Sequence, residues 1–229
     1  MGVAMNVSPP LPRDRFLTKY FHAIGFTRDW TFDPRRLTRR QTLALEYAAE
    51  DAELLLEKIG ELSPPTNDWL RVPAMVGTFG VHYLVRAVTA KAGLGALPGV
   101  EASYVTTNVD ADGASLDGSG RYELRFPKGG FPPVEAFCSV TLYDQHTNFL
   151  VNNSFQPKPR YSIGDRTPGT VLGQDGSLTV QIQNTVPAEG QANWLPAPTG
   201  KFSLSLRLYW PKPEFLDGTY QIPRVVRVQ

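Results

Sequence analysis

The stretch NWLPAPTGKFSLSLRLYW (193–210) decides the fold class. Pro196 and Pro198 stiffen its entry. From Lys201 onward it alternates strictly: Phe202, Leu204, Leu206 and Leu208 fall on one side, Ser203, Ser205, Arg207 and Tyr209 on the other. A period of two is the signature of a β-strand with two unlike faces. The apolar face predicts a core. The polar face predicts either a solvated surface or a ligand-facing one.

Working outward, the same texture recurs. GRYELRF (120–126) sets Tyr122, Leu124 and Phe126 against Arg121, Glu123 and Arg125, and GSLTVQIQ (176–183) sets Leu178, Val180 and Ile182 against Thr179, Gln181 and Gln183. EAFCSVTLYD (135–144) is mixed on both faces, as a central strand would be, and ASYVTTNVDADG (102–113) reads as a strand ending in a turn. Seven or eight such strands, separated by Gly, Pro, Asn and Asp with no helix between them, predict an antiparallel sandwich or jelly roll.

The first third reads as helical. LPRDRFLTKYFHAIGF (11–26) carries Phe16, Tyr20 and Ile24 at roughly helical spacing. Residues 33–62 give the clearest helix: Thr38 and Gln41 fit a capping box, and Leu43, Tyr47, Leu54, Leu55 and Ile59 fall on or near one stripe. Gly60 and SPPTN stop it. A third helix is expected over 76–93, with Phe79, Tyr83, Ala87 and Ala90 on one face. Gly80 inside it would cost about 1 kcal/mol against Ala. The expected fold is therefore α+β, with N-terminal helices packed on an antiparallel jelly-roll-like β-sandwich. The division is a helical region over 1–98 and a sandwich over 99–229.

Composition narrows the function. The chain has 229 residues, enough to bury a core without disulfides or metal. A net charge of +1 argues against nucleic acid or an anionic membrane, both of which call for a basic field. No apolar run reaches the length of a membrane span. Cys138 is the only cysteine, and the N-terminal residues show no basic segment followed by an apolar run. A cytoplasmic setting is expected, with a periplasmic protein lacking disulfides as the alternative.

Several chemistries find no support. His22, His82 and His146 are not at metal-ligating spacing, so no metal is expected. DADGASLDG (110–118) has acidic residues but reads as turn chemistry. KAGLGALPG (91–99) follows a helix where a dinucleotide fingerprint would open one, so no cofactor is expected. No nucleophile elbow occurs, and Cys138 in an apolar run reads as a buried thiol.

What remains is a polar and aromatic set. Tyr143 and Asp144 end one strand, Arg207 and Tyr209 share the polar side of another, and Asn193 and Trp194 sit in the Pro-stiffened loop. His82, Tyr83 and Arg86 lie about a turn apart on the third helix. Aromatic rings would stack on a ligand, Arg would neutralise a carboxylate or enolate, and Tyr, Asp or His would exchange a proton. The expected catalytic residues are Tyr143, Asp144, Arg207 and His82; the expected ligand-binding residues are Tyr83, Arg86, Asn193, Trp194 and Tyr209.

Three readings stay open. One is a cofactor-independent isomerase, lyase or hydrolase acting by proton transfer on a small organic metabolite. Another is a carbohydrate-binding module with Trp194 and Trp210 as its platform. The third is a homo-oligomeric structural module.

Most of the chain also resembles a known family. LDGSGRYELRFPKG (116–129), PPVEAFCSVTLYD (132–144), YSIGDRT (161–167), DGSLTVQIQ (175–183) and NWLPAPTGKFSLSLRLYWPKPEFLDGTYQIP (193–223) resemble the bacterial domain of unknown function 1214. That domain often follows the domain of unknown function 1254. GTFGVHYLVRAVTAKAGLGALP (77–98) looks like the family's preceding segment, so the likeness spans about 70–228. Cys138 stands where the family usually has Trp. The resemblance implies a jelly-roll-like sandwich and no activity.

Overall fold

Alternation becomes architecture in the strand Phe202–Pro211. Phe202, Leu204, Leu206 and Leu208 are all buried, as their spacing requires, while Arg207 and Tyr209 on the opposite side are half-buried. The computed structural model describes residues 6–27, 32–58 and 65–228. Its chain divides into two compact units, one of residues 1–62 with 79–92 and one of residues 63–78 with 93–229.

Among the described residues, all the strands lie in the second unit. In chain order they are β1 (Leu70–Arg71), β2 (Ala102–Thr107), β3 (Arg121–Phe126), β4 (Val134–Asp144), β5 (Ser162–Gly164), β6 (Leu178–Gln183), β7 (Trp194–Pro196), β8 (Phe202–Pro211) and β9 (Val225–Val228). They form a five-stranded sheet in the order β1-β2-β8-β4-β5 and a four-stranded sheet in the order β7-β6-β3-β9. All neighbours are antiparallel except β6 and β7, which run parallel. One core joins the sheets: Val105, Val140, Leu204 and Leu206 from the first pack with Leu124, Val180 and Ile182 from the second. The fold is mixed α+β with two antiparallel-rich sheets, as expected.

Cys138 lies in this core. Its backbone N–H donates to Asp165 Oδ1 at 2.9 Å, and burial pushes its thiol up to about 12.

Among its described residues the first unit has the helices α1 (Arg15–Ala23), α2 (Arg39–Lys58) and α3 (Tyr83–Ala92). The capping box forms at α2: Gln41 Oε1 accepts from the Thr38 N–H at 2.9 Å, and Thr38 Oγ1 accepts from the Gln41 N–H at 3.3 Å. Ile59 and Gly60, read as the last stripe position and the stop of this helix, lie outside the described residues. Helix α3 starts seven residues later than its pattern suggested. Gly77 at φ +80° and Gly80 at φ +54° take left-handed conformations that a helix does not admit. A last short helix, α4 (Pro213–Leu216), follows β8 in the second unit. Among the described residues no helix is long and apolar enough to cross a membrane.

Candidate functional site

Directly paired residues of an antiparallel sheet share a face. Register therefore builds the polar face of the five-stranded sheet row by row. Tyr104 pairs with Arg207, Arg207 with Ser139, and Ser139 with Gly164. The next row is Thr106, Ser205, Thr141 and Ser162. Tyr209 pairs with Phe137, and their rings stack at 4.4 Å. Tyr143 pairs with Ser203 and closes the patch.

Arg207 is its centre. Nη1 donates to Thr141 Oγ1 at 2.7 Å and Nη2 donates to the Tyr143 hydroxyl at 2.5 Å. Cζ lies 5.4 Å from the Tyr143 ring centroid. Among the described residues no carboxylate comes within ion-pair distance of Arg207. The Tyr104 phenol is pushed above its ordinary range, chiefly by burial and then by Tyr209, while the Leu97 N–H and Arg207 pull the other way. The patch thus offers hydroxyls around Arg207, with a second guanidinium, Arg166, whose Cζ lies 5.2 Å from the Phe137 ring centroid.

The expected site residues separate into groups. Tyr143, Arg207 and Tyr209 come together. Asp144 does not join them, because consecutive strand residues point to opposite faces and Asp144 is in register with the core residue Phe202. Its carboxylate accepts from the Thr147 N–H at 2.7 Å, Thr147 Oγ1 at 2.9 Å and the His146 N–H at 3.0 Å. Those bonds, led by the Thr147 N–H, hold its pKa below the usual value.

Asn193 clasps Val171 twice: Oδ1 accepts from its N–H at 2.9 Å and Nδ2 donates to its carbonyl at 2.7 Å. Trp194 is 0% exposed and donates its indole N–H to the Gln183 carbonyl at 2.8 Å. It is core, so it shares no surface platform with the exposed Trp210.

His82, Tyr83 and Arg86 belong to the first unit. The Tyr83 hydroxyl donates to Asp14 Oδ1 at 2.7 Å, which raises its pKa, and Arg86 Cζ sits 5.2 Å from the Tyr83 ring centroid. The His82 carbonyl accepts the Arg86 N–H at 3.0 Å, and the side chain is exposed.

Sequence reasoning missed Tyr104, Phe137, Ser139, Thr141 and Ser205. The signal was available for Phe137, Ser139, Thr141 and Ser205: the first three alternate with Tyr143 along β4, and Ser205 alternates with Arg207 along β8. Elsewhere on the second unit an open cleft of about 530 Å³ is lined by Asp112, Ser119, Gly120, Arg121, Arg227 and Val228. The DADGASLDG segment is a turn, with Asp110 Oδ1 accepting from the Asp112 and Ala114 N–H groups at 3.0 Å each.

Comparison with known proteins adds kinship. Residues 101–213 match the family model described as a protein of unknown function (DUF1214). The VPA0106 protein of Vibrio parahaemolyticus is a solved structure similar at TM-score 0.65 and 24% identity, over 94% of this chain and 51% of that one. A putative uncharacterized protein from Burkholderia cenocepacia is 11% identical with a TM-score of 0.37, over 100% of this chain and 52% of that one. The chain spans about half the length of these solved structures. No curated protein matches it. The first likeness concerns the fold alone.

Proposed function

Since residues 101–213 of this chain belong to the DUF1214 family, whose description names no activity, we propose a function from the site alone: the second unit binds a small organic anion on the polar face of its five-stranded sheet. Arg207 is the anion receptor in this reading. Tyr104, Tyr143, Tyr209 and Phe137 supply rings for a flat or apolar body. The jelly-roll-like connectivity expected from the sequence belongs to the same proposal; the crossovers that bring β8 beside β2 and β9 beside β3 support it.

One observation carries the reading. Arg207 is half-buried and held by two hydroxyls, with no carboxylate in range among the described residues. Taking a guanidinium partly out of water is costly unless an anion compensates it. Hydroxyls orient the fork without neutralising it. A ligand carboxylate would gain charge-assisted bonds, which are about twice as strong as neutral ones.

Binding is favoured over turnover because the carboxylate expected to act as a base, Asp144, is committed to its own turn. The test is calorimetric titration with benzoate and longer aryl carboxylates beside their neutral amides. Carboxylates that bind wild type, fail with the amide and fail with Arg207→Ala support the proposal. Equal binding of acid and amide, or binding indifferent to Arg207, overturns it.

A further inference from the structure

Helix α2 carries its apolar stripe outward. Leu43 is 42% exposed, Tyr47 64%, Leu54 50% and Leu55 55%, and no residue of the helix is buried. Leu43, Tyr47, Glu50 and Leu54 follow the 4-3-4 spacing of a coiled-coil seam. A seam of this kind calls for a partner helix.

The charges of α2 say which partner. Arg39 and Arg40 open the helix, its first turn has no acidic residue, and Glu46, Glu50, Asp51, Glu53 and Glu57 fill the rest, with Lys58 the one cation at the far end. This runs against the helix dipole, which favours acids at the N-terminus and bases at the C-terminus. An antiparallel neighbour with the same polarity brings Arg40 of each copy against the acidic half of the other. The seam is also self-complementary. A two-fold axis at Ala48–Ala49 sets Leu43 against Leu54 of the second copy, Tyr47 against Glu50 and Arg40 against Glu57.

We propose that α2 is a homodimer interface, in which two copies of this chain pair their α2 helices antiparallel about that axis. This is an isologous contact, the commonest way for a chain to dimerise. It is independent of the anion site on the second unit.

The test is light scattering behind gel filtration, over a concentration series of the whole chain. The expected species has twice the 25.3 kDa mass of the chain. Leu43→Glu with Leu54→Glu should weaken the association by at least about tenfold, with helix content unchanged by circular dichroism. Arg40→Glu, and separately Glu57→Arg, should each weaken self-association, because either sets like charges against each other across the axis, and mixing the two variants should restore a dimer. A monomer at every concentration overturns the proposal. So does a dimer indifferent to the seam substitutions, or a mixture of the charge variants that stays monomeric.

Discussion

Arg207 and Tyr143 touch without being register partners. Arg207 pairs with Ser139 and Tyr143 pairs with Ser203, yet Nη2 of Arg207 reaches the Tyr143 hydroxyl. The guanidinium therefore lies along the face of β4, and Thr141 between these positions accepts its second bond. Removing the cation by Arg207→Ala frees the hydroxyls of half-buried Tyr143 and buried Thr141, and water entering the space left by the side chain replaces the lost donor. The expected cost is about 1 kcal/mol, read as a fall in Tm of about 2–4 °C. A far larger fall would make Arg207 a structural keystone rather than a receptor. Arg207→Lys should keep part of the anion affinity and lose the fork, so its binding should fall between wild type and alanine.

Trp194 makes the opposite prediction. It is sealed in the core with its indole N–H on the Gln183 carbonyl. Trp194→Phe removes that donor and leaves a gap, for an expected loss of about 2 kcal/mol. Trp194→Ala should lose about 3–5 kcal/mol. Denaturant melts of both variants check the ranking, and neither variant should bind sugars differently from wild type while folded.

The fold was largely legible because burial imposes a period. Phe202, Leu204, Leu206 and Leu208 alternate, and all are buried. Short elements carried no such signal: β1 has two residues, and β7, read as a proline-stiffened loop, has three and ends on Pro196. The site was legible in part. Arg207, Tyr209 and Tyr143 sit on one face as the alternation allows. Pairing Tyr143 with Asp144 ignored the same alternation, which separates neighbours on a strand. Thr141 and Tyr104 reach Arg207 only through register between β2, β8 and β4, and register is set by long-range pairing that no single stretch displays.

Acid should unfold the second unit through its turn carboxylates. Asp144, Asp117, Asp175 and Asp217 all have folded pKa values below the usual 3.8, each held down chiefly by hydrogen bonds from residues two or three positions on. A lowered folded pKa means that the unfolded chain takes up protons first as pH falls. The stability these groups confer is complete above the ordinary value and is lost as pH drops through it toward the folded values. Equilibrium melts from pH 6 down to about pH 2 should show the loss beginning near the ordinary carboxylate range. Asp144→Asn should flatten that limb while lowering stability at neutral pH. A pH dependence as steep as that of wild type would assign the acid limb to other groups.

Gly118 tests a close backbone approach in the second unit. It follows the buried Leu116 by two residues, and its N–H donates to the Gly200 carbonyl at 3.0 Å. A Cβ at Gly118 would stand 1.5 Å from the Pro198 carbonyl oxygen and 2.7 Å from its carbon. Those are backbone atoms, which cannot rotate aside as a side-chain tip can. Gly118→Ala must push the 198–200 turn away from the 116–118 segment, and Phe202, whose N–H donates to the Leu116 carbonyl at 3.2 Å, is anchored just beyond. The strain reaches the start of β8, the strand that carries Arg207. The expected loss is about 3 kcal/mol, with anion affinity falling in parallel if β8 shifts. Gly200→Ala is the control, because a Cβ there meets nothing within 4 Å. Chemical denaturation of the two variants should separate them clearly, and equal stability would mean that the Pro198 turn yields without cost.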